Sequence, residues 1–221
     1  MAKKIITVVG ARPQFIKLAP LGKLLDQDFN HYVVHTGQHF DENMSDIFFK
    51  QMNIRKPDIN LAIHGGNHGE QTGEMLIQLE KVMLDEHPTL VIVFGDTNST
   101  LAGALAASKL NIPVLHIESG LRSFDMAMPE EQNRVCVDHM STYLSAPTEK
   151  AVQNLKREGI AKGVSLTGDI MVDSLNHFLK YSNQAMILDN IDLNSEFALL
   201  TMHRASNTDD KQLLSQLIHL I

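Results

Sequence analysis

Asp96, Glu118 and Glu130 are three acids spaced so that one crevice can hold them, and Arg134 follows them closely. Asp96 comes directly after the apolar run Val91–Phe94 (VIVF) and Gly95. Glu118 comes directly after a second apolar run, Ile112–Ile117 (IPVLHI). Each run reads as a buried strand. The Ala- and Leu-rich stretch from Thr97 to Lys109 between them reads as a helix, so the unit is βαβ and the strands are parallel. Ligands of open parallel sheets bind just beyond the carboxyl ends of the strands, which is where both acids fall. Pro129 suits the first turn of a helix that carries Glu130, Glu131 and Arg134. Acids converging on one crevice suggest proton transfer. Other roles fit the same residues. Asp96 suits a helix cap, Glu130 and Glu131 suit the charge of a helix N-terminus, and Arg134 suits an i,i+4 pair with Glu130. A carboxylate directly after a buried strand, as at Glu118, needs a partner.

The elements that must position these residues follow the same α/β rhythm. Lys4–Val9 (KIITVV) reads as a strand, and Gly10–Pro13 (GARP) turns it into a helix running to about Asp26. Arg12 and Lys17 lie near that helix start, where anions are attracted. Phosphate binding and plain solvated basic residues fit this pair equally. The loop matches neither G-x-G-x-x-G nor a P-loop. Tyr32–Thr36 is expected as the second strand, with Gly37, Gln38 and His39 at its exit. A helix over Asp41–Met52, a short strand over Leu61–Ile63 and a helix from Glu70 to about Glu86 follow. His64–Gly69 (HGGNHG) reads as a connector or as a mobile loop closing over a ligand. Tyr143–Ala146 and Val164–Thr167 are further strands. Thr148 caps a helix to about Glu158, and another helix covers Ile170–Lys180.

Composition narrows the function classes. A chain of 221 residues that is 43% hydrophobic and 20% charged is an ordinary globular protein. The net charge of −7 argues against nucleic acid or an anionic membrane as the main partner. Cys136 is the single cysteine, so no internal disulfide forms, which fits the cytoplasm. No apolar run approaches the ~20 residues of a membrane helix. Eleven histidines invite a metal reading. No H-E-x-x-H or Cys/His framework stands among them, so no metal is expected.

Six motifs stand in order: Gly10–Pro13 (GARP), Thr36–His39 (TGQH), Gly95–Thr97 (GDT), His116–Arg122 (HIESGLR), Pro129–Arg134 (PEEQNR) and Thr201–Arg204 (TMHR). Together they resemble the UDP-N-acetylglucosamine 2-epimerase family, over the whole chain. The resemblance implies an α/β fold with a Rossmann-like parallel sheet, the first domain of a two-domain glycosyltransferase-B-type architecture. Residues 1–181 would form that domain, 182–194 a linker, and 195–221 the start of a truncated second, UDP-binding domain with a strand over Phe197–Thr201.

The resemblance also implies a chemistry that needs no cofactor. Such enzymes remove the C2 proton of UDP-N-acetylglucosamine and expel UDP, giving a 2-acetamidoglucal that is re-protonated on the other face as UDP adds back. The product, UDP-N-acetylmannosamine, serves cell-surface polysaccharide synthesis. Carried over by motif, Asp96, Glu118, Glu130 and His203 are catalytic. Arg12, Lys17, Gln38, His39, Arg122 and Arg134 bind the substrate, a UDP-sugar. A cytoplasmic homodimer is expected of the full-length protein. Gln14 stands where many members have Glu, and Ser206 stands where they have a carboxylate. Leu121–Phe124 (LRSF) and Met128–Glu131 (MPEE) also resemble the branch acting on UDP-2,3-diacetamido-glucuronic acid. The alternatives are therefore that branch, a hydrolysing epimerase, and a degenerate, truncated sugar-nucleotide-binding protein. A glycosyltransferase is the rival from another enzyme class.

Overall fold

A computed structural model of the chain describes residues 3–39, 46–181, 197–202 and 205–220. The chain divides into two compact units, Met1–Lys180 and Tyr181–Ile221. The first is an α/β unit. Its strands are β1 (Lys4–Val9), β2 (Asn30–His35), β3 (Ile59–Asn60), β4 (Leu90–Phe94), β5 (Val114–Ile117), β6 (Tyr143–Ala146) and β7 (Val164–Leu166). Its helices are α1 (Arg12–Asp28), α2 (Asp46–Gln51), α3 (His68–Glu86), α4 (Asn98–Lys109), α5 (Pro129–Met140), α6 (Glu149–Arg157) and α7 (Ile170–Leu179). The strands form one seven-stranded sheet in the order β3-β2-β1-β4-β5-β6-β7. Every pair in it is parallel. The chain runs outward from β1 to β3, crosses back to β4, and then runs outward the other way. The strand order reverses between β1 and β4, which is the switch point where such sheets open a ligand crevice.

Alternation along the strands divides the core in two. Ile6, Val8, Val91 and Val93 pack with Met75, Leu79 and Met83 of α3 and the alanines of α4. Ile5, Val9, Ile92 and Phe94 pack on the opposite face with Phe15 and Leu18 of α1 and Phe49 of α2. Small residues let α4 lie close to the sheet. A methyl group at Gly103 would come 3.2 Å from both Val8 and Val93. Burying each large aliphatic side chain contributes roughly 1.5–3 kcal/mol, so these two layers hold the strand ends in register.

Pro20 lies inside α1. It has no N–H to give Ile16, four residues back. Ser174 of α7 fills the gap, its Oγ donating to the Ile16 carbonyl at 2.7 Å. The helix thus keeps its proline, and α7 is pinned against α1.

The turn after β1 is tight. A Cβ on Gly10 would lie 2.1 Å from Thr36 Oγ1 and 2.2 Å from Ser99 Oγ. Both neighbours are fully buried and bonded to each other at 2.8 Å, so neither can swing away. Gly10→Ala should therefore destabilise the full-length protein by about 1–3 kcal/mol, as overpacking does. Urea denaturation checks this, and an unchanged midpoint would contradict the packing described.

Several expected boundaries move. The third strand is Ile59–Asn60 and not Leu61–Ile63. Ile59 and Asn60 are the residues in register with Val34 and His35, and Ala62 then turns the chain away at φ 53°. Helix α3 begins at His68, so the second histidine of the glycine stretch is helical. The expected strand over Phe197–Thr201 is absent. Residues 197–202 carry no regular structure, and Phe197, Leu199 and Leu200 are exposed. No strand pairs with them among the described residues, and a lone strand leaves its N–H and C=O groups unmatched. The second unit's described helices are α8 (Ala205–Thr208) and α9 (Lys211–His219), the latter capped by Asp210. The expected linker at 182–194 and the first residues of the expected Asp41–Met52 helix lie outside the described residues.

Candidate active site

Strand exits β1, β4 and β5 and helix α5 bring the acidic and basic residues together at the switch point. Arg134 is the hub. Its Nη2 donates to Asp96 Oδ2 at 2.5 Å and to Glu118 Oε1 at 3.1 Å. Its Nη1 donates to the Glu118 carbonyl. Lys17, reaching over from α1, forms an ion pair with the other oxygen of Glu118. Lys17 and Arg134 are both 5% exposed. Lys17 is thus a buried partner of an acid rather than a solvated base, whereas Arg12 stays exposed on the first turn of α1.

The electrostatics follow from this geometry. Burial, the largest influence on Glu118, would push its carboxyl up. Lys17 and then Arg134 outweigh it and hold the group below the usual carboxylate range. Glu118 is therefore ionised at neutral pH, as a base must be. Its backbone is also unusual, at φ 71°. A non-glycine residue in that region costs of order 1–3 kcal/mol and persists only where the surroundings hold it.

Asp96 does not cap α4. Thr97 does, its hydroxyl accepting from Thr100 N at 3.2 Å. The Asp96 carboxylate is left facing Arg134 with about a third of its side chain open to water. The Asp96 carbonyl accepts from Asn133 Nδ2 at 2.9 Å. Asn133 also reaches Asn98, which in turn contacts Gln71 and His68 at the start of α3. An amide chain thus joins the end of the glycine stretch to the Asp96 turn.

The two glutamates of the Pro129–Arg134 motif separate clearly. Glu131 is buried and accepts from Ser123 N, Ser123 Oγ and Phe124 N, which fastens the β5–α5 loop. Glu130 is exposed on the first turn of α5, one turn before Arg134 on the same face. Arg134 turns to Asp96 and Glu118 instead of forming an isolated helix pair.

Gln14 ties the exits of β1 and β4 together. Its Oε1 accepts from Gly10 N and Ala11 N at 2.7 and 3.0 Å. Its Nε2 donates to Phe94 O, Thr97 Oγ1 and Thr100 Oγ1. A glutamate here could not donate to the Phe94 carbonyl. Gln38 accepts from the amide and hydroxyl of Ser99. His39 Nδ1 accepts from Arg12 N at 3.0 Å, so both residues line the β1 exit. The first amides of α1 are thus already bonded, and an anion there would depend on side chains. Arg122 points inward. It pairs with Asp138 at 2.7 Å and with Glu158 at 2.6 Å, and its side chain is 1% exposed. His203 lies outside the described residues. No group of three His, Cys, Asp or Glu among the described residues could hold a metal ion.

Nothing local in the sequence marks the role of Asn133, and Glu131, expected as helix N-terminal charge, instead fastens the β5–α5 loop. Of the His116–Asp138 pair, a histidine inside a buried strand is the one available sign, since such a group needs partners. Its partner, 22 residues away on a helix, was not readable.

A family profile described as UDP-N-acetylglucosamine 2-epimerase matches residues 23–221. The chain belongs to the UDP-N-acetylglucosamine 2-epimerase family. A homologue of that epimerase from Methanococcus maripaludis is 53% identical over 219 residues, covering 98% of this chain and 61% of its own length. A UDP-2,3-diacetamido-2,3-dideoxy-D-glucuronate 2-epimerase from Pseudomonas aeruginosa is 51% identical over 223 residues, covering 99% and 62%. Among solved structures, the Methanocaldococcus jannaschii UDP-GlcNAc 2-epimerase in complex with UDP-GlcNAc and UDP superposes with a TM-score of 0.90 at 47% identity, covering 99% of this chain and 61% of that one. Acinetobacter baumannii MurG, at 17% identity and a TM-score of 0.52, shares the fold alone. The chain spans about three fifths of the length of the epimerases it matches. No helix among its described residues is long and apolar enough to cross a membrane.

Proposed function

We propose that the protein is a non-hydrolysing UDP-N-acetylglucosamine 2-epimerase. The observation that carries this reading is Arg134 bridging Asp96 and Glu118 at the sheet's switch point, with Lys17 behind Glu118. A carboxylate takes the C2 proton. The electron pair of the C2–H bond forms the C1=C2 bond, and the C1–O bond breaks toward UDP. A second acid returns a proton to the opposite face of C2 as UDP re-adds at C1. Asp96, Glu118 and Glu130 are the acid and base candidates. Arg134 fixes two of them and limits their mutual repulsion. Arg12, Lys17 and His203 take up the charge of the departing diphosphate, a task in which placed cations have large effects. Gln38 and His39 shape the β1 exit against the substrate. Arg122, assigned to substrate by its motif, would act through the loop it holds.

Activity is proposed for the full-length protein, with a second domain gripping the uridine. A cytoplasmic homodimer is the expected state. The second reading is the diacetamido-glucuronate branch, supported by the Pseudomonas aeruginosa relative and by the Leu121–Phe124 sequence. Proton NMR of the full-length protein with each UDP-sugar alone separates the two. The proposal expects a C2 epimer from UDP-N-acetylglucosamine. An epimer only from the diacetamido sugar would transfer the assignment to that branch, and release of UDP without an epimer would overturn both.

A further inference from the structure

His116 lies in β5 and is fully buried. Its Nδ1 is 2.7 Å from Asp138 Oδ1, and its Nε2 is 2.7 Å from the Gly95 carbonyl. A carbonyl only accepts, and so does an ionised carboxylate. A neutral imidazole has one N–H and can serve only one of these contacts. Asp138 has further reason to stay ionised. Its Oδ2 accepts from Gly120 N at 3.0 Å and pairs with Arg122 at 2.7 Å, and Arg122 leads on to Glu158. Burial, the largest influence, would push Asp138 up, but His116 and Arg122 outweigh it and hold the carboxyl low. Donation from both ring nitrogens, one to Asp138 and one to the Gly95 carbonyl, requires a ring that carries both protons.

This pair touches both acid-bearing turns. Gly95 directly precedes Asp96. Gly120 lies two residues after Glu118. Gly95, Glu118 and Gly120 all have left-handed backbones, at φ 65°, 71° and 77°. Arg134 and Asp138 lie one turn apart on α5. Arg134 grips the Glu118 carbonyl, and Asp138 grips the Gly120 amide. We propose that His116 and Asp138 are positioning residues, a buried imidazolium–carboxylate pair that locks the Asp96 and Glu118 turns at one fixed separation. The inference rests on the acid–base reading of those two carboxylates.

The test has two arms on the full-length protein. In the first, ¹⁵N-histidine NMR with sequential assignment reads the His116 ring. The proposal expects both ring nitrogens protonated near neutral pH, with slowly exchanging N–H signals. A ring with one protonated nitrogen overturns it. In the second, His116→Gln and Asp138→Asn are compared with wild type, each checked for folding by near-UV circular dichroism. Misplacing reacting groups by about 1 Å costs on the order of 100-fold, so kcat should fall by about that factor with KM little changed. An unchanged kcat, or a loss confined to KM, overturns the proposal. If neither variant folds, the NMR arm decides. Absence of epimerisation by wild type would count against the epimerase reading and leaves the NMR arm decisive for the pair.

Discussion

Glu118→Gln in the full-length protein should lower kcat by about 10²–10⁴-fold, the range that general acid–base catalysis contributes. Glutamine keeps the shape of the side chain and removes its basicity. It also removes the ion pair with Lys17 and the charged partner of Arg134. KM should change far less, since the group acts on the proton in flight rather than on the resting substrate. The sign of the pH dependence follows from the same geometry. Lys17 and Arg134 hold the Glu118 carboxyl low, so the base form persists below the usual carboxylate range. The acid limb of kcat/KM that belongs to Glu118 should therefore lie below that of an ordinary glutamate. Retention of more than about a tenth of wild-type kcat, set against that range, would remove Glu118 from the mechanism.

Arg134→Met should have the second large effect. Arg134 donates to both carboxylates and to the Glu118 carbonyl, so its loss uncouples three contacts at once. Removing one preorganised hydrogen-bond donor from an active site can cost about 10²–10³-fold in kcat, and a loss of that order is expected here. Stability should fall as well, because breaking a buried pair costs up to about 3–5 kcal/mol. Asp96 is partly open to water, which lowers that figure here. Arg134→Lys is the informative companion. A lysine keeps the charge but cannot span two carboxylates and a carbonyl with a planar fork. Its kcat should fall between those of Arg134→Met and wild type. Full activity in Arg134→Met, with the fold intact by thermal melt, would mean that the bridge is incidental.

The fold was legible where the local signals agreed. Apolar runs ending in glycine marked β1 and β4, and the Ala-rich stretch between Thr97 and Lys109 marked α4. Strand exits therefore placed Asp96 and Glu118 at the crevice before any contact was known. What stayed hidden depended on distant partners. Lys17 and Glu118 are 101 positions apart, and nothing local says that an exposed-looking lysine on α1 is a buried counter-ion. Glu130 and Glu131 look alike in sequence, yet helical rotation buries one against the β5–α5 loop and leaves the other on the open face. The helix expected to run to about Asp26 does pass through Pro20, and the donor that replaces the proline's missing N–H, Ser174, comes from another helix far along the chain. The stretch Phe197–Leu200 shows the reverse error. Its residues favour a strand, but a strand exists only with a partner to pair with.

Turnover of UDP-N-acetylglucosamine by the full-length protein in D₂O tests the central claim, that carboxylates at the β4 and β5 exits exchange the C2 proton. The Asp96 side chain is about a third open to water, so a proton held there exchanges with solvent before it is returned. The account predicts product carrying deuterium at C2, with deuterium also appearing in recovered substrate as the reaction runs back. Epimer formed with protium retained at C2 would contradict it.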